Sequence, residues 1–308
     1  MIKPGIPFIP MEPVSHPEAF DDESYGFQVK WDGTRILAHI GGGVELFNRK
    51  MNKRTKQYPE VVGALSRFFS GKSAVLDGEM IALLGGKPDF QNLMRRDMAV
   101  DEATVKYLTL KIPVTYVVFD ILYLNGKCLV DLPFSERYSM LRTCLSSSDP
   151  VVVTDTFPGM GVALFEAVKE KGLEGIVAKK LDSLYEIGKK SKKWLKIKNR
   201  RTIHCLIGGF LVDGRKLKSV IVGRMMEGEL IYLGRVFIGL DEEKRKLLYD
   251  VLSRLERKDC PFAKLPPLEK REKPVWVVPC ITAEVEFLDY TSEGYLRQPV
   301  FRRIENIL

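Results

Sequence analysis

Residues 27–40 read FQVKWDGTRILAHI. FQVK alternates like a strand and ends on Lys30. Asp32-Gly33 then marks a turn, and TRILAHI starts a second strand with Arg35 near its entry. That turn is expected to bring Lys30 and Arg35 to one mouth. A lysine amine has a free pKa of about 10.4 and is protonated at neutral pH. It becomes a nucleophile where burial or nearby cations favour the neutral form. Lys196, Lys198 or a bound metal could supply that pressure. The same six residues, KWDGTR, also suit a plain surface hairpin with DG at its tip, so the decision rests on what surrounds them.

Working outward, residues 1–26 carry several prolines and read as an extended entry segment. VELF (44–47) is a strand and YPEVVGALSRFF (58–69) has helical spacing. SAVLDGEMIALL (73–84) reads as two strand halves around a DGE turn. PVTYVVFDILYL (113–124) is a long buried strand rich in β-branched and aromatic residues. SERYSMLRTCL (135–145) is a helix with Ser135 as its cap and Glu136 in the first turn. VVVTDTF (151–157) is a strand, and GVALFEAVKEKG (161–172) a helix stopped by Gly172. GIVAKK (175–180) and WLKIK (194–198) are further strands. Beyond residue 202 come three closely spaced strands, the amphipathic helix DEEKRKLLYDVLSRLERK (241–258), a proline-rich loop and two more strands. This is the order of an OB-type barrel, a common nucleic-acid-binding module. The expected class is α+β, with a linker at 199–202 and domains at 1–200 and 201–308.

Composition narrows the function. With 308 residues, 45% hydrophobic and 29% charged, the chain can build two cores. No apolar run reaches the roughly 20 residues of a membrane span. The N-terminus has prolines and acids where a signal peptide needs an apolar stretch, so a cytoplasmic location is expected. Five cysteines without CxxC spacing argue against a disulfide framework or structural zinc. Three scattered histidines exclude an HExxH site. A metal here would be held by carboxylates, which suits magnesium or manganese. The net charge is +8, and it is concentrated: residues 179–201 hold ten Lys/Arg against two acids. Such a patch suits a polyanionic partner, although a solvated charged face would look similar.

Other candidates follow the lysine in order. NRKMNKR (48–54) places Arg49 just after a strand. LDGE (76–79) sets Glu79 beyond a turn, VFDIL (118–122) puts Phe119 on a strand, and EGIVAKK (174–180) puts Glu174 at a strand entry. In KKWLKIK (192–198), Lys196 and Lys198 are two apart and share a face. Two like charges on one face are costly unless an anion lies between them. Each element alone has an ordinary structural reading, as a β-turn, a core aromatic or an exposed loop acid.

In this order, however, KxDGxR, NR, DGE, FD, EGIVxK and KxK resemble the nucleotidyltransferase motifs of ATP-dependent DNA ligases and their relatives, the RNA ligases and mRNA capping enzymes. The resemblance covers residues 25–200 and continues through the barrel. It implies a nucleotidyltransferase domain with ATP-grasp-like antiparallel sheets, followed by an OB-fold. It implies that Lys30 attacks the α-phosphorus of ATP and carries AMP as a phosphoramidate. Arg35 and Arg49 would bind the AMP end or the 5′-phosphate of a nick. Glu79 would hold the ribose hydroxyls, and Phe119 would stack on adenine. Glu174, with Asp32 and Glu79, would position a divalent metal, and Lys196 and Lys198 would contact phosphates. Gln28 stands where these ligases usually carry a carboxylate. It keeps an acceptor for the adenine amino group, adds a donor and removes a charge.

VEFLDYTSEGYLRQPVFRRI (285–304) is similar to the closing segment of prokaryotic end-joining DNA ligases, with Gln298 in place of the usual histidine. This implies that Arg297 orients the pyrophosphate leaving group. With Lys30 close to the first residue, the expectation is that no large DNA-binding domain precedes it. The expectation is a monomeric ligase that seals nicked double-stranded DNA in repair or end joining, alongside a Ku-like protein or a primase-like polymerase. RNA ligation, capping-type chemistry and non-catalytic nucleic-acid binding are the alternatives.

Overall fold

Strand alternation in the KWDGTR region builds the frame. In Tyr25–Val29, Phe27 turns to a buried apolar layer while Gln28 turns to the opposite side. The computed structural model describes all residues except Met1, Arg215, Glu269, Lys270, Arg271, Ser292 and Leu308, with the backbone alone at Ile307. The chain divides into two units, Met1–Asn199 and Arg200–Leu308.

The first unit runs β1 (Glu12–Ser15), β2 (Tyr25–Val29), β3 (Thr34–Ile40), β4 (Val44–Asn48), α1 (Pro59–Phe68), β5 (Ala74–Leu84), β6 (Lys87–Pro88), α2 (Phe90–Asp97), α3 (Glu102–Lys111) and β7 (Val114–Leu124). It continues with β8 (Lys127–Cys128), α4 (Phe134–Cys144), β9 (Val151–Val153), β10 (Phe157–Pro158), α5 (Gly161–Glu170), β11 (Gly175–Lys180) and β12 (Lys190–Lys198). One sheet has the order β1-β12-β11-β2-β10, and the other is built on β4-β3-β5-β7-β8. So β2 and β3 belong to different sheets, and KWDGTR is the crossing between them. The surface-hairpin alternative is thereby excluded.

Three cores follow from the alternation. Ile36, Leu76, Met80 and Val118 pack under α1 and α3 on the outer face of the second sheet. Phe27, Ile176, Ala178 and Ile197 pack against Val168 of α5 behind the first. Met11, Leu37, Val75, Tyr185 and Trp194 form a third cluster. Buried charges join this third region: Arg35 with Asp77, and Arg137 with Asp120.

Several local expectations need correction. The DGE segment is no turn. β5 runs unbroken through it, with Asp77 opposite Asp120 and Gly78 opposite Val118, and only a register shift between them. The ladder supplies backbone partners on both sides, so nothing forces the chain to reverse. Helix α4 starts one residue before Ser135 and has Pro133 at its cap position. The Ser135 N–H donates instead to the Leu181 carbonyl, 3.0 Å away. The entry segment contains β1, which runs parallel to β12. The expected linker is shorter than 199–202, because the next strand already includes Arg201 and Thr202. Helices α2 and α3 lie in a stretch that the sequence reading leaves unassigned. Their signals are the caps: Asp89 and Asp101 accept from Asn92 N and Thr104 N.

The second unit comprises β13 (Arg201–Asp213), β14 (Lys216–Met226), β15 (Glu229–Phe237), α6 (Glu242–Ser253), β16 (Glu256–Arg257), β17 (Val275–Val277), β18 (Ile281–Phe287), β19 (Asp289–Tyr290), β20 (Leu296–Arg297) and β21 (Val300–Ile307). β13 pairs with β14 along one edge and with β17 and β18 along the other, and β21 closes on β18. Leu248 and Leu252 of α6 enter its core. This is the expected OB-type arrangement, with the additional strand β21. No helix among the described residues is long and apolar enough to cross a membrane.

One buried histidine makes stability depend on pH. His39 on β3 lies beside the rings of Phe8 and Phe47, and its Nδ1 accepts the Gly5 N–H at 3.2 Å. Burial, opposed by nearby Glu45, pushes its pKa down to about 4. The unfolded value is about 6.5, so the neutral ring is the folded form. Its contribution is complete above that value and is lost as pH falls towards 4. Melting temperatures recorded between pH 4 and 7 should therefore drop less steeply for His39→Phe than for the wild type. Parallel curves would remove His39 from the account.

Candidate active site

Lys30 follows the last residue of β2, and its N–H donates to the Gly175 carbonyl at 2.9 Å, which ties it to the entry of β11. Gly175 has φ +147°, and a Cβ there would lie 2.1 Å from the Ile197 carbonyl oxygen. Only glycine lets β11 and β12 come this close. Gly33 is equally constrained, since a Cβ would lie 2.1 Å from the Met80 carbonyl oxygen. The crossing therefore lies directly on β5, next to Glu79.

Glu174 is the hub. Its side chain is 6% exposed and holds Lys30 Nζ at 2.5 Å on one oxygen and Lys198 Nζ at 3.4 Å on the other. Asn199 N donates to its carbonyl at 2.9 Å. Lys196 shares the strand face of Lys198. Burial pushes its amine down, and Lys190 and Lys30 add repulsion. The predicted spacing thus brings two lysines, Lys30 and Lys198, onto one carboxylate, with Lys196 close enough to feel its charge. Glu79 stands opposite Arg35 in the β3–β5 register. Burial raises its carboxyl to about 7, with Lys30 and Arg35 opposing and Glu174 and Asp77 adding repulsion.

Arg35 is placed differently from expectation. Its Nε and Nη2 donate to Asp77 at 2.5 and 2.6 Å, and Nη2 also reaches the Met11 carbonyl at 3.3 Å. Burial works against this charge, but Asp77 outweighs it and holds the guanidinium above its ordinary pKa. Tyr185 donates to the same carboxylate at 2.6 Å. Arg35 is thus a fixed strut whose guanidinium lies 4.5 Å from the Phe119 ring centre. Arg49 is more exposed and pairs with Glu12 at 3.2 Å. Gln28 is buried and donates from Nε2 to Thr156 Oγ1 at 2.8 Å. Arg297 belongs to the second unit, on β20 opposite Asp289.

The three acids expected to share a metal do not form one cluster: no three metal-ligating side chains converge among the described residues. Glu174 is already engaged by two lysines, while Asp32 lies half-buried in the crossing. Magnesium commonly takes one or two carboxylates and completes its shell with water and substrate phosphates. Glu79 and Glu174, whose charges repel each other, fit that smaller role.

Sequence reading passed over Asp77, Thr156, Glu12 and Tyr185, and gave Lys179 no role of its own. Asp77 carried a signal in hindsight, being a carboxylate inside an apolar strand. Tyr185 and Glu12 carried none, because their positions depend on the pairing of β1 with β12.

Comparison with known proteins agrees with this geometry. Residues 12–198 match the family described as ATP dependent DNA ligase domain, and residues 213–306 the ATP dependent DNA ligase C terminal region. The chain is 31% identical over 284 residues to the multifunctional non-homologous end joining DNA repair protein LigD of Mycobacterium tuberculosis. That match covers 90% of this chain and 36% of the relative, so the chain spans about a third of that relative's length. It is 37% identical over 195 residues to the SPbeta prophage-derived DNA ligase-like protein LigB of Bacillus subtilis, covering 63% of this chain and 68% of the other. The solved ligase domain of M. tuberculosis LigD superposes with a TM-score of 0.57 at 29% identity, over 97% of this chain and 95% of that one. A mycobacterial DNA ligase D complexed with ATP and MES gives a TM-score of 0.56 at 28% identity, over 96% and 95%. With both units matched in order, the chain belongs to the ATP-dependent DNA ligase family.

Proposed function

We propose that this chain joins DNA by carrying AMP on Lys30 and transferring it to the 5′-phosphate of a nick. The observation that carries the reading is the Lys30 amine held 2.5 Å from Glu174, with Lys198 on the same carboxylate. Lys30 Nζ first gives up a proton, for which Glu174 is the adjacent acceptor. Nζ then bonds to the α-phosphorus of ATP as the bond from that phosphorus to the pyrophosphate oxygen breaks. Lys196 and Lys198 neutralise the charge that develops on the phosphate oxygens. Next, a 5′-phosphate oxygen takes AMP and frees Lys30, and the 3′-hydroxyl displaces AMP to close the strand. Glu79 and Glu174 would hold a divalent cation, which would supply charge neutralisation at the phosphates. Phe119 is the platform for adenine, Gln28 meets its edge, Glu79 binds the ribose, and Arg49 takes the nick phosphate. Arg35 keeps Asp77 and Phe119 in place, and Arg297 orients pyrophosphate.

DNA is gripped by the exposed lysines at 189, 190, 192 and 193, at the start of β12, and by the second unit. The likeness to an end-joining protein supports a role in double-strand break repair. A Ku-like protein and a primase-like polymerase are the implied partners of a monomer. Incubation with labelled ATP or GTP, followed by denaturing electrophoresis, tests the reading. A protein band labelled from ATP, together with sealing of a nicked DNA duplex, is the expected result. Label from GTP alone, or sealing confined to RNA, would overturn it.

A further inference from the structure

Alternation along β11 turns Val177 and Lys179 to one side and sends Lys180 to Asp182, 3.2 Å away. Lys179 is 2% exposed. Its Nζ lies 4.2 Å from the ring centre of Phe119, 4.7 Å from that of Phe134 and 4.2 Å from that of Trp194. It donates one hydrogen bond, to the Phe119 carbonyl at 3.2 Å. Among the described residues it makes no ion pair with a carboxylate. Ring faces attract an ammonium through their quadrupoles, more strongly once water is excluded. Even so, an apolar side chain of similar length would avoid the cost of burying this charge. Burial pushes the amine down to about 7, with Asp120 opposing, which reflects that cost.

The arrangement of the cage gives the charge a purpose. Phe119 is on β7 of the second sheet, Trp194 on β12 of the first, and Phe134 begins α4. A single ammonium therefore links both sheets and a helix, and it grips Phe119 by its ring and its backbone together. We propose that Lys179 is a positioning residue for the nucleotide, fixing the Phe119 ring and the spacing of the two sheets. The proposal rests on the reading of Lys30 as the AMP carrier and of Phe119 as the base platform. Among the described residues Lys179 makes no hydrogen bond or ion pair with Lys30, Glu174, Lys196 or Lys198. Its loss should therefore weaken capture of the adenine-bearing ligand, ATP or the adenylated nick, and leave the bond-making steps intact.

The test compares the full wild-type chain with Lys179→Met, which keeps the length and removes the charge, and with Lys179→Ala, which empties the cage. Self-adenylation is measured against ATP concentration, and sealing is measured separately on a nick that already carries 5′-AMP. For Lys179→Met the expected result is a KM for ATP raised about tenfold, from the loss of a desolvated cation–π cluster. Its kcat should stay within about threefold, and its rate of sealing the pre-adenylated nick at saturating nick concentration should be unchanged. For Lys179→Ala, n-propylammonium should restore the KM while n-propanol of the same length should not. An unchanged KM in Lys179→Met, or equal rescue by the neutral alcohol, would overturn the proposal and leave Lys179 as packing alone. Absence of label on the wild-type protein would instead overturn the adenylation reading itself, and this inference with it.

Discussion

Lys30→Ala is expected to abolish covalent AMP capture, by at least about 10⁴-fold, while sealing of a pre-adenylated nick survives. The two steps separate because they use different nucleophiles. Adenylation needs the lysine nitrogen, and the final step needs only the DNA 3′-hydroxyl and groups that stabilise the phosphate. Lys30→Arg should be as inactive in the first step, because a guanidinium keeps its proton throughout the accessible pH range. Arginine also restores a positive partner for Glu174, which alanine does not. Similar loss in both variants therefore points to the missing nucleophile rather than to the broken ion pair. The measurement is transfer of labelled AMP to protein, alongside single-turnover sealing of the pre-adenylated substrate. Label on Lys30→Ala would place the nucleophile elsewhere, and equal loss in both assays would make Lys30 a structural cation.

Much of this site was legible before any coordinates, and the reason lies in strand geometry. Lys196 and Lys198 had to share a face because strand side chains alternate, and the structure pairs Lys198, with Lys30, to Glu174. In sequence Gly33 reads only as a turn residue; the structure adds that Gly33 and Gly175 both permit close backbone approaches. The OB-type order of strands and helix in the second unit was readable for the same reason of local periodicity. What stayed hidden depends on contacts distant in sequence. Arg35 was expected at a phosphate, but Asp77, 42 residues away, takes its guanidinium. Tyr185 reaches that carboxylate across 108 residues. The DGE segment looked like a turn because Asp-Gly usually makes one. Here the paired neighbours β3 and β7 keep it extended, so tertiary pairing overrode local preference. The motif EGIVxK singles out Lys179 but gives it no role, and the phase of β11 decides that it is buried.

Asp120→Ala should destabilise the first unit more than any surface change, by about 3–5 kcal/mol. Arg137 and Asp120 are both fully buried, joined by Nε and Nη2 to the two carboxylate oxygens at 2.9 Å each. Arg137 also donates to the carbonyls of Leu132 and Ser183, at 2.6 and 3.0 Å. Removing the aspartate leaves that guanidinium buried with two neutral acceptors and, as counter-charge, only the more distant Asp77, which Arg35 already holds. It also removes the attraction that opposes the loss of charge on Lys179, so one substitution unbalances two cations. Urea unfolding followed by the fluorescence of Trp31 and Trp194 reports this unit, since the third tryptophan, Trp276, is in the other. The double variant Asp120→Leu/Arg137→Met removes both charges and should recover a large part of the loss, because much of the single-variant penalty is the stranded charge rather than the value of the pair. A single variant within about 1 kcal/mol of wild type would show that water or another group solvates Arg137. A double variant no more stable than Asp120→Ala would mean that the hydrogen-bond geometry of the pair, rather than its charge balance, holds α4 against β7.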